Sequence, residues 1–190
     1  MIEFYIFFCD IRLLIERKIM SYNNGRKNII LTGMPGSGKS TTGRILAEKL
    51  GMDFVDTDCV IEECEGMRLQ EIIDSKGPDV FMEIESDAVI NLEKERCVIA
   101  PGGSVVLCEK AINHLKKDGV VVFLNVPQTT LKRRINIDSR GIVMKPGETL
   151  DHVWERRRDL YYKYADIVID CEEMEFSEIA HKIIVELPNK

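Results

Sequence analysis

The plainest chemical potential in this chain lies in eight consecutive residues, Gly33, Met34, Pro35, Gly36, Ser37, Gly38, Lys39 and Ser40. They follow the apolar run Ile29-Ile30-Leu31 and lead into a segment of helical periodicity. This is the strand, loop and helix context that the pattern GxxxxGK[ST] requires. In such a loop, glycines let backbone N–H groups turn inward around phosphate oxygens, and the helix start adds a favourable field. Gly33, Pro35, Gly36, Ser37, Gly38 and Thr41 are therefore read, with Lys39 and Ser40, as a cradle for ATP. Lys39 would reach the β- and γ-phosphates, and the Ser40 hydroxyl would ligate Mg²⁺. A bare glycine turn before a helix is the plainer alternative, and the complete context argues against it.

Four further groups could complete a phosphoryl transfer. Asp56 and Asp58 flank Thr57 at the end of a second apolar run. Residues two apart in an extended segment point the same way, so both carboxylates can face the crevice beyond the strand ends. Asp56 could hold Mg²⁺ through water, and Asp58 could accept a hydroxyl proton; the competing reading is a turn or helix cap. Gly102 and Gly103, after the run ending at Ala100, could offer N–H groups to an acceptor oxygen. Of Arg156, Arg157 and Arg158, only Arg157 falls on the apolar stripe of Leu150, Val153, Trp154, Tyr161 and Tyr164. A cation on an inward face needs an anionic partner, which makes Arg157 the expected substrate-binding arginine. Arg140 lies in a stretch without apolar periodicity, residues 136–147, which reads as a mobile lid able to bring a cation over the γ-phosphate.

The elements that must position these residues are strand-length runs at 28–31, 53–55, 97–100, 120–125 and 167–170, separated by helical patterns at 40–50, 78–94, 109–117, 129–135, 150–164 and 177–186. Alternation of this kind implies crossover connections and a mostly parallel sheet covered on both faces. With 190 residues, 45% hydrophobic and 31% charged, the chain has room for one core, expected over residues 26–190. A net charge of −6 argues against a nucleic-acid surface. The six cysteines form no CxxC pair and are expected as reduced core thiols. His114, His152 and His181 are expected on helix surfaces. Residues 1–25 read as an N-terminal extension, disordered or outside the native start, with Met20 a plausible first residue. Their apolar stretch at 4–8 is too short to span a bilayer. A cytoplasmic monomer with a small-molecule substrate and neither nucleic-acid nor membrane partner is the expectation.

In order, GMPGSGKST, FVDTD, GMRLQEII, FMEIE, APGGSVV, LKRRI, SRGIV and ERRRDLYYKYAD resemble the shikimate kinase family from about residue 27 to 186. The resemblance implies an α/β, three-layer P-loop NTPase fold, with a five-stranded parallel sheet, helices on both faces and a mobile lid. It also implies transfer of the ATP γ-phosphate to the 3-hydroxyl of shikimate, in aromatic amino acid biosynthesis. By position, Asp56 is similar to the family's magnesium-associated carboxylate and Asp58 to the one binding shikimate hydroxyls. Gly102 and Gly103 are similar to the substrate glycines, Arg140 to the lid arginine, Arg157 to the arginine on the substrate carboxylate, and Arg134 to the arginine stacking on adenine.

The chain departs from the family pattern at three places. Phe81-Met82 stands where Phe-Arg is usual, and that arginine helps to clamp the shikimate carboxylate; Arg68, from the preceding turn, could compensate. Arg140-Gly141-Ile142 stands for Arg-Pro-Leu, and Ser104 for a third glycine. Loss of one charge-assisted hydrogen bond would weaken carboxylate binding roughly ten- to a hundredfold. The departures leave open a related kinase for another acceptor, such as gluconate or a nucleotide, and a nucleotide-binding regulatory homologue.

Overall fold

The computed structural model describes residues 27–135, 141–144 and 147–188. Five strands, β1 (Asn28–Thr32), β2 (Asp53–Asp56), β3 (Cys97–Ala100), β4 (Gly119–Asn125) and β5 (Ile167–Asp170), form one sheet in the order β2-β3-β1-β4-β5. Every pairing is parallel. The α/β architecture and the five-stranded parallel sheet expected from the sequence are thus present. β1, at the centre, is buried at all five residues, and β4 beside it at all but its last. Such continuous apolar runs are what a strand covered on both faces requires.

The expected helices are found within a few residues: α1 (Lys39–Leu50), α4 (Pro78–Ile90), α5 (Glu109–Lys117), α6 (Gln128–Arg134), α7 (Leu150–Tyr164) and α8 (Phe176–Glu186). Two more, α2 (Thr57–Glu65) and α3 (Leu69–Lys76), lie where the sequence reading placed no helix. Each is short and rich in charge, and each buries only two residues: Thr57 and Ile61 in α2, Leu69 and Ile72 in α3. An apolar stripe that thin gives a weak periodic signal. Pro78 at the first position of α4 stops α3 from running on into it.

The main core joins β1, β3 and β4 to the helices on both faces, with Phe123 stacked on Tyr161 at 5.0 Å between ring centres. A second, smaller cluster of Ile61, Leu69, Ile72, Phe81 and Val143 ties α2, α3 and α4 together at one end of the sheet. Val143 comes from the segment expected to be a lid. Of that segment, residues 141–144 and 147 are described, and Ile142 and Val143 are buried. Gly141 has φ +56 and packs so tightly on Leu69 that a Cβ would overlap it. Proline, fixed near φ −65, cannot adopt this conformation, which accounts for glycine where proline is usual. Arg140 and the expected N-terminal extension lie outside the described residues.

The cysteines correct one expectation. Cys97 and Cys171 are buried, but Cys59 and Cys64 are exposed on the charged outer side of α2. His114, His152 and His181 lie on helices as expected, and His152 joins Thr149 in capping α7. No helix among the described residues is long and apolar enough to cross a membrane.

Asn28 stitches β1 to its neighbour. Its buried amide donates to the Lys94 carbonyl at 2.6 Å and accepts the Cys97 N–H at 3.0 Å. Asn28→Ala takes from both of these groups the partner the amide supplies, so it is expected to destabilise the protein by about 1–3 kcal/mol. A lowered urea midpoint with unchanged nucleotide affinity is the expected result.

Candidate active site

The loop after β1 ends at the start of α1, and its backbone sets the curve. Gly38 has φ +89 and Gly36 φ +79, conformations that side-chain-bearing residues rarely adopt. Gly38 is also where Phe176 of α8 closes in, leaving 2.5 Å to the position of an added Cβ. Pro35, Gly36, Gly38, Lys39, Ser40 and Thr41 line a cavity of about 380 Å³. Gly33 and Ser37 lie beneath the loop, off the cavity wall, with the Ser37 side chain fully buried. The Lys39 ammonium donates back to the carbonyls of Gly33 and Met34 at 3.0 and 3.3 Å. Burial pulls its pKa down and the nearby Arg157 adds to that, while Asp58 and Asp56 work in the opposite direction.

Asp56 and Asp58 both reach this cavity, but not by the expected geometry. β2 ends at Asp56 and α2 begins at Thr57, so the pair straddles a helix start. The Asp56 carboxylate caps α2 by accepting the Asp58 N–H at 3.1 Å, and Asp58 turns inward from the first helical turn. The helix-cap alternative is therefore part of the answer for Asp56. Asp58 has its pKa raised to about 7, first by burial and then by the neighbouring Glu85, with Lys39 opposing.

The far end of the cavity is built on the turn after β3. The Gly102 N–H donates to the Thr57 hydroxyl at 3.2 Å, so this amide is engaged within the protein and not directed at a ligand. Its contribution is room: a Cβ on Gly102 would overlap Glu85 Oε1 and lie 2.9 Å from Asp58 Oδ1. Gly103 gives its carbonyl to the Tyr161 hydroxyl at 2.6 Å and sits beside the Arg157 guanidinium. Tyr161, whose pKa burial pushes up to about 12, stays a neutral donor.

Arg157 is inward as periodicity required, 1% exposed, on the α7 stripe with Val153, Tyr161 and Tyr164. One guanidinium nitrogen donates to the Val143 carbonyl at 3.2 Å, and Nε is buried without a protein partner. Arg156 pairs with Glu148 at 3.3 Å, and Arg158 lies over the Tyr162 ring. At the opposite end, Arg134 lies over the ring of Phe176, 5.3 Å from its centre, and both line the cavity.

Among the cavity residues that sequence did not mark as functional are Phe176 and Glu85. Phe176 starts α8 and abuts the phosphate loop, with no local signal to mark it. Glu85 had one: it stands four residues after Phe81 and four before Val89, on the buried stripe of α4. It is 3% exposed and accepts the Ser104 hydroxyl. Burial raises its pKa, while Ser104, Arg157 and Lys39 pull it back. Two other residues lie away from the cavity. Met82 packs on the smaller core cluster, and Arg68 is exposed at the start of α3, so it does not replace the missing arginine.

The shikimate kinase family model matches residues 35–188. A shikimate kinase from Moorella thermoacetica is 41% identical over 158 residues, which cover 82% of this chain and 91% of that one. The shikimate kinase of Thermodesulfovibrio yellowstonii is 39% identical over 164 residues, 84% of this chain and 94% of the relative. Among solved structures, shikimate kinase from Acinetobacter baumannii in complex with shikimate superposes with a TM-score of 0.77 at 31% identity, covering 83% of this chain and 90% of that one. With one cavity holding both the phosphate loop and the Asp58, Gly102 and Arg157 cluster, and with these relatives matched along most of their length, the chain belongs to the shikimate kinase family.

Proposed function

We propose that this protein transfers the γ-phosphoryl group of ATP to the 3-hydroxyl of shikimate. The observation that carries the reading is the single cavity with Lys39 and Ser40 at one end and Asp58, Gly102, Gly103 and Arg157 at the other. The phosphate loop binds ATP, with Arg134 and Phe176 against the base. Arg157, which lines the acceptor end of the cavity, takes the acceptor's carboxylate. Asp58 receives the hydroxyl and takes its proton as the oxygen attacks phosphorus. Lys39, and Arg140 from the segment outside the described residues, balance the charge that builds on the transferring group.

Ser40 and Asp56 fit Mg²⁺ by their chemistry. One offers a hydroxyl and the other a carboxylate whose Oδ2 is not the oxygen used in capping α2. Hard oxygen donors, few in number, suit an ion that keeps waters and takes phosphate oxygens as its remaining ligands. When bound, the ion supplies charge neutralisation between the phosphates.

A coupled ADP-release assay with shikimate tests the proposal, with gluconate and a nucleoside monophosphate as competing acceptors. Absence of turnover at millimolar shikimate, with ATP still bound, would refute it. Arg157→Ala is expected to raise the shikimate KM about ten- to a hundredfold, the value of a charge-assisted hydrogen bond, with little change in the KM for ATP. A pH profile reads Asp58 directly. Because the base form is needed, kcat/KM is expected to rise through about pH 7, the raised pKa of Asp58. Stability has the opposite sign. The folded-state pKa lies above the unfolded value, so the stabilisation held at low pH is lost as pH rises through about 7. Asp58→Asn is thus expected to abolish turnover yet to melt a few degrees higher than the parent at pH 8 in the absence of ligands.

A further inference from the structure

The acceptor end of the cavity holds two carboxylates and one guanidinium. Glu85 Oε1 and Asp58 Oδ1 crowd the same small volume above Gly102, where a Cβ would overlap the first and approach the second to 2.9 Å. Neither carboxylate forms an ion pair within 4 Å among the described residues. Lys39 is turned to the phosphate loop and bonded to the Gly33 and Met34 carbonyls. Arg157 lines the cavity, held on Val143, with its Nε buried and without a protein partner.

Position 82 explains the imbalance. It lies three residues before Glu85 on α4, the spacing at which helix side chains meet, so an arginine there could neutralise Glu85. Methionine cannot. Met82 and Glu85 both border a second cavity behind the first, and Met82 packs on the apolar cluster around Phe81. With methionine at 82, the cations that act on these two carboxylates are Lys39 and Arg157, and neither comes within ion-pair distance of Glu85 or Asp58. A buried carboxylate without a close ion-pair partner is costly, and an acceptor that brings a cation into contact would relieve it.

We infer that the site takes small hydroxy amino acids in zwitterionic form, with the carboxylate on Arg157, the ammonium on Glu85 and the hydroxyl on Asp58. The inference rests on the proposed phosphoryl transfer and extends its acceptor class. The acceptor's hydroxyl oxygen forms a bond to the γ-phosphorus of ATP while the bond from that phosphorus to the ADP oxygen breaks. The hydroxyl proton passes to Asp58, and the products are ADP and a phosphate monoester of the amino acid. Ser104 holds Glu85 in place through its hydroxyl.

The experiment measures ADP release with L-homoserine and L-serine, with their counterparts lacking the amine, 4-hydroxybutyrate and 3-hydroxypropionate, and with shikimate. The amine is expected to raise kcat/KM at least tenfold over its deaminated counterpart. Glu85→Gln should erase most of that difference while ATP affinity stays intact. Met82→Arg should lower the homoserine-to-shikimate ratio of kcat/KM tenfold or more. Turnover of shikimate with none of homoserine or serine, or equal rates with and without the amine, overturns the inference and leaves the proposed function standing. No ADP release with any acceptor, while ATP still binds, overturns both.

Discussion

Burying Arg157 is the constraint around which the acceptor side is arranged. A guanidinium with 1% exposure must find acceptors or an anion, since removing an unpaired charge from water is among the most costly events in a fold. The protein supplies one carbonyl, from Val143, and places Glu85 near enough to act electrostatically without forming a close pair. What remains is directional capacity facing a cavity. The same arrangement explains why residues 142 and 143 are packed inward: the Val143 side chain seals the small cluster while its carbonyl holds the arginine.

The sheet makes this possible by bringing strand ends together. Parallel pairing places the carboxyl ends of β1, β2 and β3 along one edge, so the phosphate loop, the Asp56–Asp58 turn and the Gly102–Ser104 turn open into one crevice. Their polar groups are few, and the backbone amides beside them are partly spoken for, as with Gly102 on Thr57. Specificity therefore rests on side chains delivered by helices, Glu85 from α4 and Arg157 from α7. Both helices reach the main core, α4 through Val89 and α7 through Val153 and Tyr161, and α4 is anchored in addition by Phe81 in the smaller cluster. A change on α4 can alter the acceptor end without touching the phosphate loop.

How much of this the sequence disclosed depended on whether a residue carried a local signal. Lys39 did, through glycine spacing between a strand and a helix. Arg157 did, because a charge on an apolar stripe is anomalous and only one of three adjacent arginines fell there. Glu85 obeys the same rule on α4, yet its stripe is short and broken by Met82 and Ile84 on partly buried positions, so the anomaly is faint. The placement of Asp56 and Asp58 in the crevice was legible while its cause was not: an extended strand and a capped helix start both turn them inward, and only the backbone tells them apart. Phe176 reaches the loop purely through tertiary packing of α8 on α1, which no spacing within its own segment encodes.

Two departures from the family pattern converge on one carboxylate. Methionine at 82 puts no cation on α4 three residues before Glu85, and serine at 104 supplies a hydroxyl that donates to Glu85 Oε2. Here the second tempers the consequence of the first, since a hydroxyl donor offsets part of the desolvation that burial imposes on the carboxylate. A neutral donor restores a hydrogen bond but not a charge, so Glu85 stays held in place, with Arg157 and Lys39 acting on it from beyond ion-pair distance. An acid kept in that condition at the wall of a substrate cavity is costly to the folded protein, and the cost falls when a cation is bound against it. The phosphate loop and Asp58 have meanwhile kept the family's residues, so the departures fall on the acceptor side of the cavity and leave the donor side intact.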